Sequence, residues 1–227
     1  MTSPHRQVVA TVSAWTPRDD LGVRHREQAL TWLAATEDIY RRIKPDTPPQ
    51  HLVAYFLLVD RAAGRVLLCD HRLAGLWLPT GGHVEPGEDP TDTVRREVVE
   101  ELGVEAEFDP ALGEAPFLLT VTRTTAHSGP RHVDVSLWFA LRGRVGDDLT
   151  PDAGEFAGVR WWSRSEIEAD DPGHHEPHIL RALDALGLSL TRPSRPTSEL
   201  IASRRHVPPV DPAALQADLD EFLDAQL

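Results

Sequence analysis

The sequence predicts an α/β protein, and three observations predict it. Apolar, branched-rich runs at residues 51–60 (HLVAYFLLVD) and 65–70 (RVLLCD) are separated by a short segment with Gly64, which is a hairpin signal. A second pair of strand candidates, residues 117–126 and 132–141, flanks a turn at residues 127–130 and reads as a long antiparallel pair. Between the two pairs lies a helix over about residues 90–102, started by Asp89-Pro90 with Asp92 behind and ended by Gly103. Its Val94, Val98 and Leu102 form one apolar edge, which needs a sheet to pack on.

The chain of 227 residues is long enough for one domain of roughly 150 residues plus extensions. Hydrophobic residues make up 41% and charged residues 26%, ordinary for a globular protein. No apolar run approaches the roughly 20 residues of a membrane helix. The first residues carry a short apolar segment but no convincing small-residue cleavage site, so a cytoplasmic location is expected. Lys and Arg number 23 against 36 Asp and Glu, a net charge of −13 that argues against broad binding to nucleic acid. The single Cys69 excludes an internal disulfide and a Cys-rich zinc site, and is expected as a small buried strand residue.

In chain order, residues 7–15 read as a short strand, although so brief a run also fits a helix. Thr16-Pro17 with Asp19 reads as a cap and a first-turn proline, and a helical stretch follows from Gly22 to about Ile43. Trp32, Ile39, Tyr40 and Ile43 recur in it at helical spacing. Residues 44–50, with three prolines, form a linker, so residues 1–49 are expected as a mainly helical extension. Beyond the central helix, residues 104–108 are a weak strand candidate and residues 156–162 the last strong one. Ser163 with Glu166 starts a capping box, and residues 177–186 form a helix with Ile179, Leu180, Leu183 and Leu186 as its stripe. Residues 188–227 read as a Pro-rich tail followed, from Asp211-Pro212, by an amphipathic helix with Leu215, Leu219, Phe222 and Leu223 on one side. That apolar face is expected to dock back or to form a homodimer.

The chemistry concentrates in residues 82–104, GHVEPGEDPTDTVRREVVEELGV. Glu97, Glu100 and Glu101 fall at i, i+3 and i+4, on neighbouring positions of one helix side. Three like charges that close repel unless a cation joins them. A solvated face balanced by Arg95 and Arg96 is the plain alternative, but the preceding loop argues for function. Gly81-Gly82 permits close backbone approach, and Pro86-Gly87 makes a second tight turn.

Gly82, five residues, Glu88, seven residues, Arg96-Glu97-Val98, one residue, Glu100-Glu101, one residue, then Gly103-Val104 resembles the full signature of the Nudix hydrolases at all nine specified positions. With Trp77-Leu78-Pro79 ahead of it, the resemblance covers about residues 50–187 and implies a Nudix-type α/β/α sandwich around a mixed sheet. It implies hydrolysis of a nucleoside diphosphate linked to another group, a small-molecule substrate, with Mg²⁺ or Mn²⁺ as the cofactor. Hard oxygen ligands suit those ions. By the same resemblance Glu97, Glu100 and Glu101, with the Gly82 carbonyl, hold metal, while Glu88 and Arg96 are mainly structural. Members of the family differ in their general base, and here Glu155, just before the last strand, and Glu97 are the two candidates.

Arg123 and Arg131 are candidate phosphate contacts, because guanidinium groups bind phosphate in a bidentate way. His127, His132 and Asp134, on or beside the long hairpin, are candidates to face the substrate, with His132 the one retained, although a surface role is the simpler expectation. In residues 174–178, HHEPH, the proline breaks continuous presentation of the imidazoles, so zinc is not expected there. Trp161 and Trp162 alternate on a strand, so one belongs to the core. Two other functions share this fold: a ligand-binding module without turnover, and an isomerase of the isopentenyl diphosphate type. The intact glutamates favour the hydrolase over the first. The second expects a cysteine where this chain has Thr80-Gly81-Gly82.

Overall fold

The spine of the fold is β1 (Gln50–Asp60), buried along nearly its whole length, as its unbroken apolar run demands. The computed structural model describes residues 3–44, 47–124 and 132–188. β1 pairs antiparallel with β2 (Arg65–His71) through the hairpin at Gly64. On its other side it runs parallel to β6 (Val133–Arg142), from Gln50 opposite Val133 to Val59 opposite Arg142. β6 in turn pairs antiparallel with β5 (Leu118–Arg123), the expected second pair. β3 (Leu76–Leu78) and β7 (Phe156–Ser163) both pair antiparallel with β2. The sheet is thus mixed and has seven strands, as the α/β expectation requires.

Two strands were not foreseen, β3 and the one that follows it. Residues 80–83, expected as a glycine loop, form β4 (Thr80–His83), antiparallel to β1 with Ala54 opposite Gly82 and Val53 opposite His83. Glycine is a poor strand residue in isolation, but here it lets two backbones and a helix come together. A Cβ on Gly81, whose φ is +138°, would meet the Ala54 carbonyl at 2.2 Å.

The N-terminal segment departs from expectation in two places. Residues 7–15 are helical within α1 (Pro4–Ala14): Ser3 caps the Arg6 N–H, and Val8 and Val12, four apart, are both buried. α2 (Asp20–Ala35) begins at the N-cap Asp19, which accepts from the Gly22 N–H at 2.6 Å, so Pro17 precedes the helix. It stops at Ala35 because the chain beyond is recruited by the sheet. The Leu52 N–H donates to the Ile39 carbonyl at 2.8 Å, and Ile43 bridges Thr47. The strand expected at residues 104–108 is reduced to one bridge, Phe108 to Leu141. The turn between β5 and β6 and the tail with its terminal helix lie outside the described residues.

The remaining helices follow their signals, except that the last of them begins at Ile179 and its Leu180, expected in the apolar stripe, is exposed. α3 (Pro90–Leu102) is capped by Asp89 and ended by Gly103 at φ 71°, and its Val94, Val98 and Leu102 are fully buried. α4 (Arg164–Ala169) carries the Ser163–Glu166 capping box, and α5 (Ile179–Leu186) ends at a left-handed Gly187. Cys69 and Trp162 are core residues. No described helix is long and apolar enough to cross a membrane.

Polar contacts tie α2 to the sheet and to α5. Arg181 makes two bonds to Asp19, at 2.7 and 2.8 Å, and holds its carboxyl down at about 2. His25 of α2 is fully buried edge-on to the His178 ring at 5.4 Å, and His178 Nε2 lies 3.2 Å from the Thr122 hydroxyl of β5. Burial, with Arg181 nearby, pushes His25 down to about 4. A histidine depressed below its unfolded value of about 6.5 contributes stability that is present above that pH and lost as pH falls toward its folded value. We therefore expect stability to fall between about pH 6.5 and pH 4. Replacing His25 by Phe should reduce that total fall by up to roughly 3 kcal/mol. Urea unfolding of both proteins across this range measures it, and equal slopes would remove His25 as the cause.

Candidate active site

Two glycines of β4 and three glutamates of α3 form the centre of the acidic site. Pro90 at the helix start and the apolar edge of Val94, Val98 and Leu102 fix α3 against the sheet, which turns Glu97 and Glu101 inward. Glu101, only 5% exposed, accepts the Gly81 N–H at 2.9 Å. Gly82 faces Glu97 so closely that a Cβ would stand 2.0 Å from its Oε1. Glu100, at 60% side-chain exposure, lies toward solvent on the same side.

An ionic clamp holds this arrangement. Arg96 donates to both oxygens of Glu88 at 3.1 Å, to Glu97 Oε1 at 2.6 Å, and sits 3.5 Å from Glu100. Glu88 also accepts from the Glu85 N–H at 3.0 Å and the Thr93 hydroxyl at 2.7 Å. Burial pushes Glu88 up, but these donors outweigh it and hold the carboxyl below its ordinary value. One guanidinium thus joins the loop to the helix and orients a glutamate.

The carboxylates crowd one another. Burial, then Glu97, raises Glu101 to about 9 against the pull of the Gly81 N–H. Burial also raises Glu97, with Arg96 opposing and Glu100 and Glu155 adding to it. Glu155, in the loop before β7, is therefore within the field of the cluster, with its carboxylate 3.2 Å from His71 Nε2. Gly82, Glu88, Arg96, Glu97, Glu100, Glu101 and Glu155 are brought to one place.

Arg123 ends β5 opposite Val133, and Arg131 lies outside the described residues. His132 and Asp134 are not surface groups: they are buried or nearly so, and meet His51 and His83 rather than the glutamates. Arg41 is not singled out by the sequence, because nothing marks one arginine of the Arg41-Arg42 pair over the other. Its guanidinium lies in the field of both Asp134 and Glu97.

Fold and site together define a class, a mixed-sheet α/β protein with a cluster of carboxylates on one helix facing a glycine strand. The model of the NUDIX domain matches residues 49–183. A MutT-like protein of Streptomyces ambofaciens is 30% identical over 141 residues, covering 62% of this chain and 82% of that protein. Among solved structures, a hydrolase of the NUDIX family from Clostridium perfringens is 23% identical with a TM-score of 0.46, covering 61% of this chain and 97% of the other. The MutT NUDIX hydrolase from Burkholderia pseudomallei is 21% identical with a TM-score of 0.44, covering 60% and 96%. The chain belongs to the Nudix family. It is an enzyme of the Nudix pyrophosphohydrolase type.

The two glycines answer to different neighbours, and their alanine variants should differ accordingly. At Gly81 the obstacle is backbone and φ is positive, so Gly81→Ala should cost at least about 2 kcal/mol of stability. At Gly82 the obstacle is the end of a flexible carboxylate, which can swing away. Gly82→Ala should keep its melting temperature within a few degrees yet lose about 100-fold in turnover, because Glu97 is displaced by an ångström or more. Thermal melts beside a phosphate-release assay separate the two outcomes.

Proposed function

We propose that this chain hydrolyses the diphosphate linkage of a nucleoside diphosphate joined to another group, by attack of water on phosphorus, with Mg²⁺ or Mn²⁺ as cofactor. Residues 50–187 carry the activity in this reading, with residues 1–49 as scaffold. The observation that carries it is Glu101, buried and bonded to the Gly81 N–H, with Glu97 and Glu100 beside it in an intact Nudix motif.

The residues fit such an ion. Glu97, Glu100, Glu101 and the Gly82 carbonyl would hold it, all hard oxygen donors of the kind that suit Mg²⁺ and Mn²⁺. When bound, a divalent ion neutralises diphosphate charge and lowers the pKa of water. Burial, with Glu97 beside it, raises Glu101 to about 9, an electrostatic cost that a cation would offset.

The chain's own groups supply the rest. Arg96 orients Glu97 through its 2.6 Å bond, and Glu88 anchors Arg96. Glu155 is 42% exposed at its side chain, within the field of Glu97, and in this reading it takes the proton from the attacking water. Glu97 is the other candidate, but its oxygen is engaged by Arg96. Arg41, in the field of Asp134 and Glu97, and Arg123 are the cationic groups proposed to receive the substrate's outer phosphates.

A metal-supplemented screen across nucleoside triphosphates, nucleotide sugars, ADP-ribose, dinucleoside polyphosphates and cap analogues tests the reading. We expect at least one to release a phosphate product, with chelation abolishing it. Glu101→Gln and Glu97→Gln should each reduce turnover by about 10²-fold or more, and Glu155→Gln by a similar factor if it is the base. Binding without product across the whole panel would overturn the hydrolase reading, and an unchanged rate in Glu155→Gln would remove that residue.

A further inference from the structure

Four side chains outside the glutamate cluster converge on one another. His51 on β1, His83 at the end of β4, His132 just before β6 and Asp134 on β6 each present one donor atom, all within 4.8 Å of one another. Sheet register brings them there. His51 lies directly opposite Asp134 across the parallel β1–β6 pair, and His83 is opposite Val53, two residues along β1 from His51. Successive strand residues point to opposite faces, so Gly82 turns to α3 while His83 turns away from it, to the other face.

The Asp134 Oδ1 atom stands 3.3 Å from His51 Nε2, 3.4 Å from His132 Nε2 and 3.8 Å from His83 Nε2. Yet His51 Nε2, His83 Nε2 and Asp134 Oδ1 are buried and make no hydrogen bond to one another or to any other described residue. His51 is fully buried, and leaving such groups unpaired costs roughly 1–3 kcal/mol each. Its Nδ1 lies 2.9 Å from the Pro48 carbonyl, an acceptor only, so Nδ1 carries the proton and Nε2 presents a lone pair. At His132, Nδ1 is 3.3 Å from the Thr124 hydroxyl, which can donate in turn to the His132 carbonyl at 3.3 Å. These outer oxygens orient the rings as partners of metal-bound histidines do.

From this geometry we propose that His51, His83, His132 and Asp134 form a second metal site, for a borderline divalent transition ion such as Zn²⁺. Four ligands around a tetrahedral ion, with bonds of about 2.0–2.1 Å, stand roughly 3.3–3.4 Å apart, which two of the three distances to Asp134 Oδ1 match, the third being 3.8 Å. Three imidazoles and one carboxylate suit zinc and its neighbours, whereas Mg²⁺ and Mn²⁺ prefer the all-oxygen glutamate site. The ion would join β1, β4 and β6 at the residue next to Gly82. Nothing in it depends on turnover at the glutamates. The rival arrangement is a protonated His51 bridging Pro48 and Asp134, which binds no metal.

The test uses the full chain, stripped by a chelator and returned to buffer with excess Mg²⁺ to occupy oxygen sites. Titration with Co²⁺ should give one equivalent bound, with the visible absorption of tetrahedral cobalt, displaced by one equivalent of Zn²⁺. Zn²⁺ should raise the melting temperature of the wild type. His83→Asn and His132→Asn should lose the spectrum and the thermal shift, while Glu100→Gln and Glu101→Gln keep both. Wild-type protein that binds no Co²⁺ or Zn²⁺ under these conditions overturns the proposal, whatever the variants do. So does a spectrum that survives both histidine variants or disappears with the glutamate ones. Failure of the nucleotide screen leaves this result untouched, so the two readings fail separately.

Discussion

The close approach of β4 to α3 is the constraint on which the rest of the structure depends. Two glycines without side chains let carboxylates press against a strand backbone: Gly81 gives an N–H to Glu101, and Gly82 leaves the room that Glu97 occupies. Such contact puts charge against a low-dielectric sheet, which is unfavourable alone. It persists because the apolar edge of α3 is buried and because Arg96 bonds both Glu88 and Glu97. Remove the apolar edge and the helix has no reason to lie there; remove the clamp and the loop has no fixed distance from the helix.

Linkage makes the same crowding a device. A carboxyl raised above its unfolded value contributes stability that is complete below that value and is lost as pH rises through the folded one. For Glu101 that window runs from the ordinary carboxylate range up to about 9, so at neutral pH the metal-free fold bears a standing penalty. Glu176, buried and raised to about 8 by that burial, adds to it. A ligand that prefers the ionised folded state recovers the penalty as binding free energy, so affinity and fold stability at this site are one quantity.

Much of this was legible in the sequence, and the residues show why. Asp89-Pro90 and Gly103 bounded α3 because caps act locally, and the Ser163–Glu166 box did the same for α4. Residues 51–60 and 65–70 read as strands because their apolar runs need no partner to be recognised. What failed was decided by partners. β4 is a strand only because β1 lies beside it, and α2 ends at Ala35 because Leu52 bonds the Ile39 carbonyl. Residues 7–15 were too few for period two to be told from period 3.6 until Val8 and Val12 were seen buried together.

The histidines make the sharpest case. Motif reading works when ligands share one element, as Glu97, Glu100 and Glu101 do, because helical spacing converts directly into proximity. His51, His83 and Asp134 sit on three strands with His132 just before the third, and only the parallel β1–β6 register and the antiparallel β1–β4 register bring them together. The tract that looks metal-binding, residues 174–178, disperses instead: His175 turns to Asp170 at 3.2 Å and His178 to Thr122 at 3.2 Å. Along β4, adjacent residues serve opposite faces, Gly82 an oxygen-rich one and His83 a nitrogen-rich one. One peptide therefore couples two donor sets of different hardness, and a shift of β4 by one residue would exchange their faces and dissolve both.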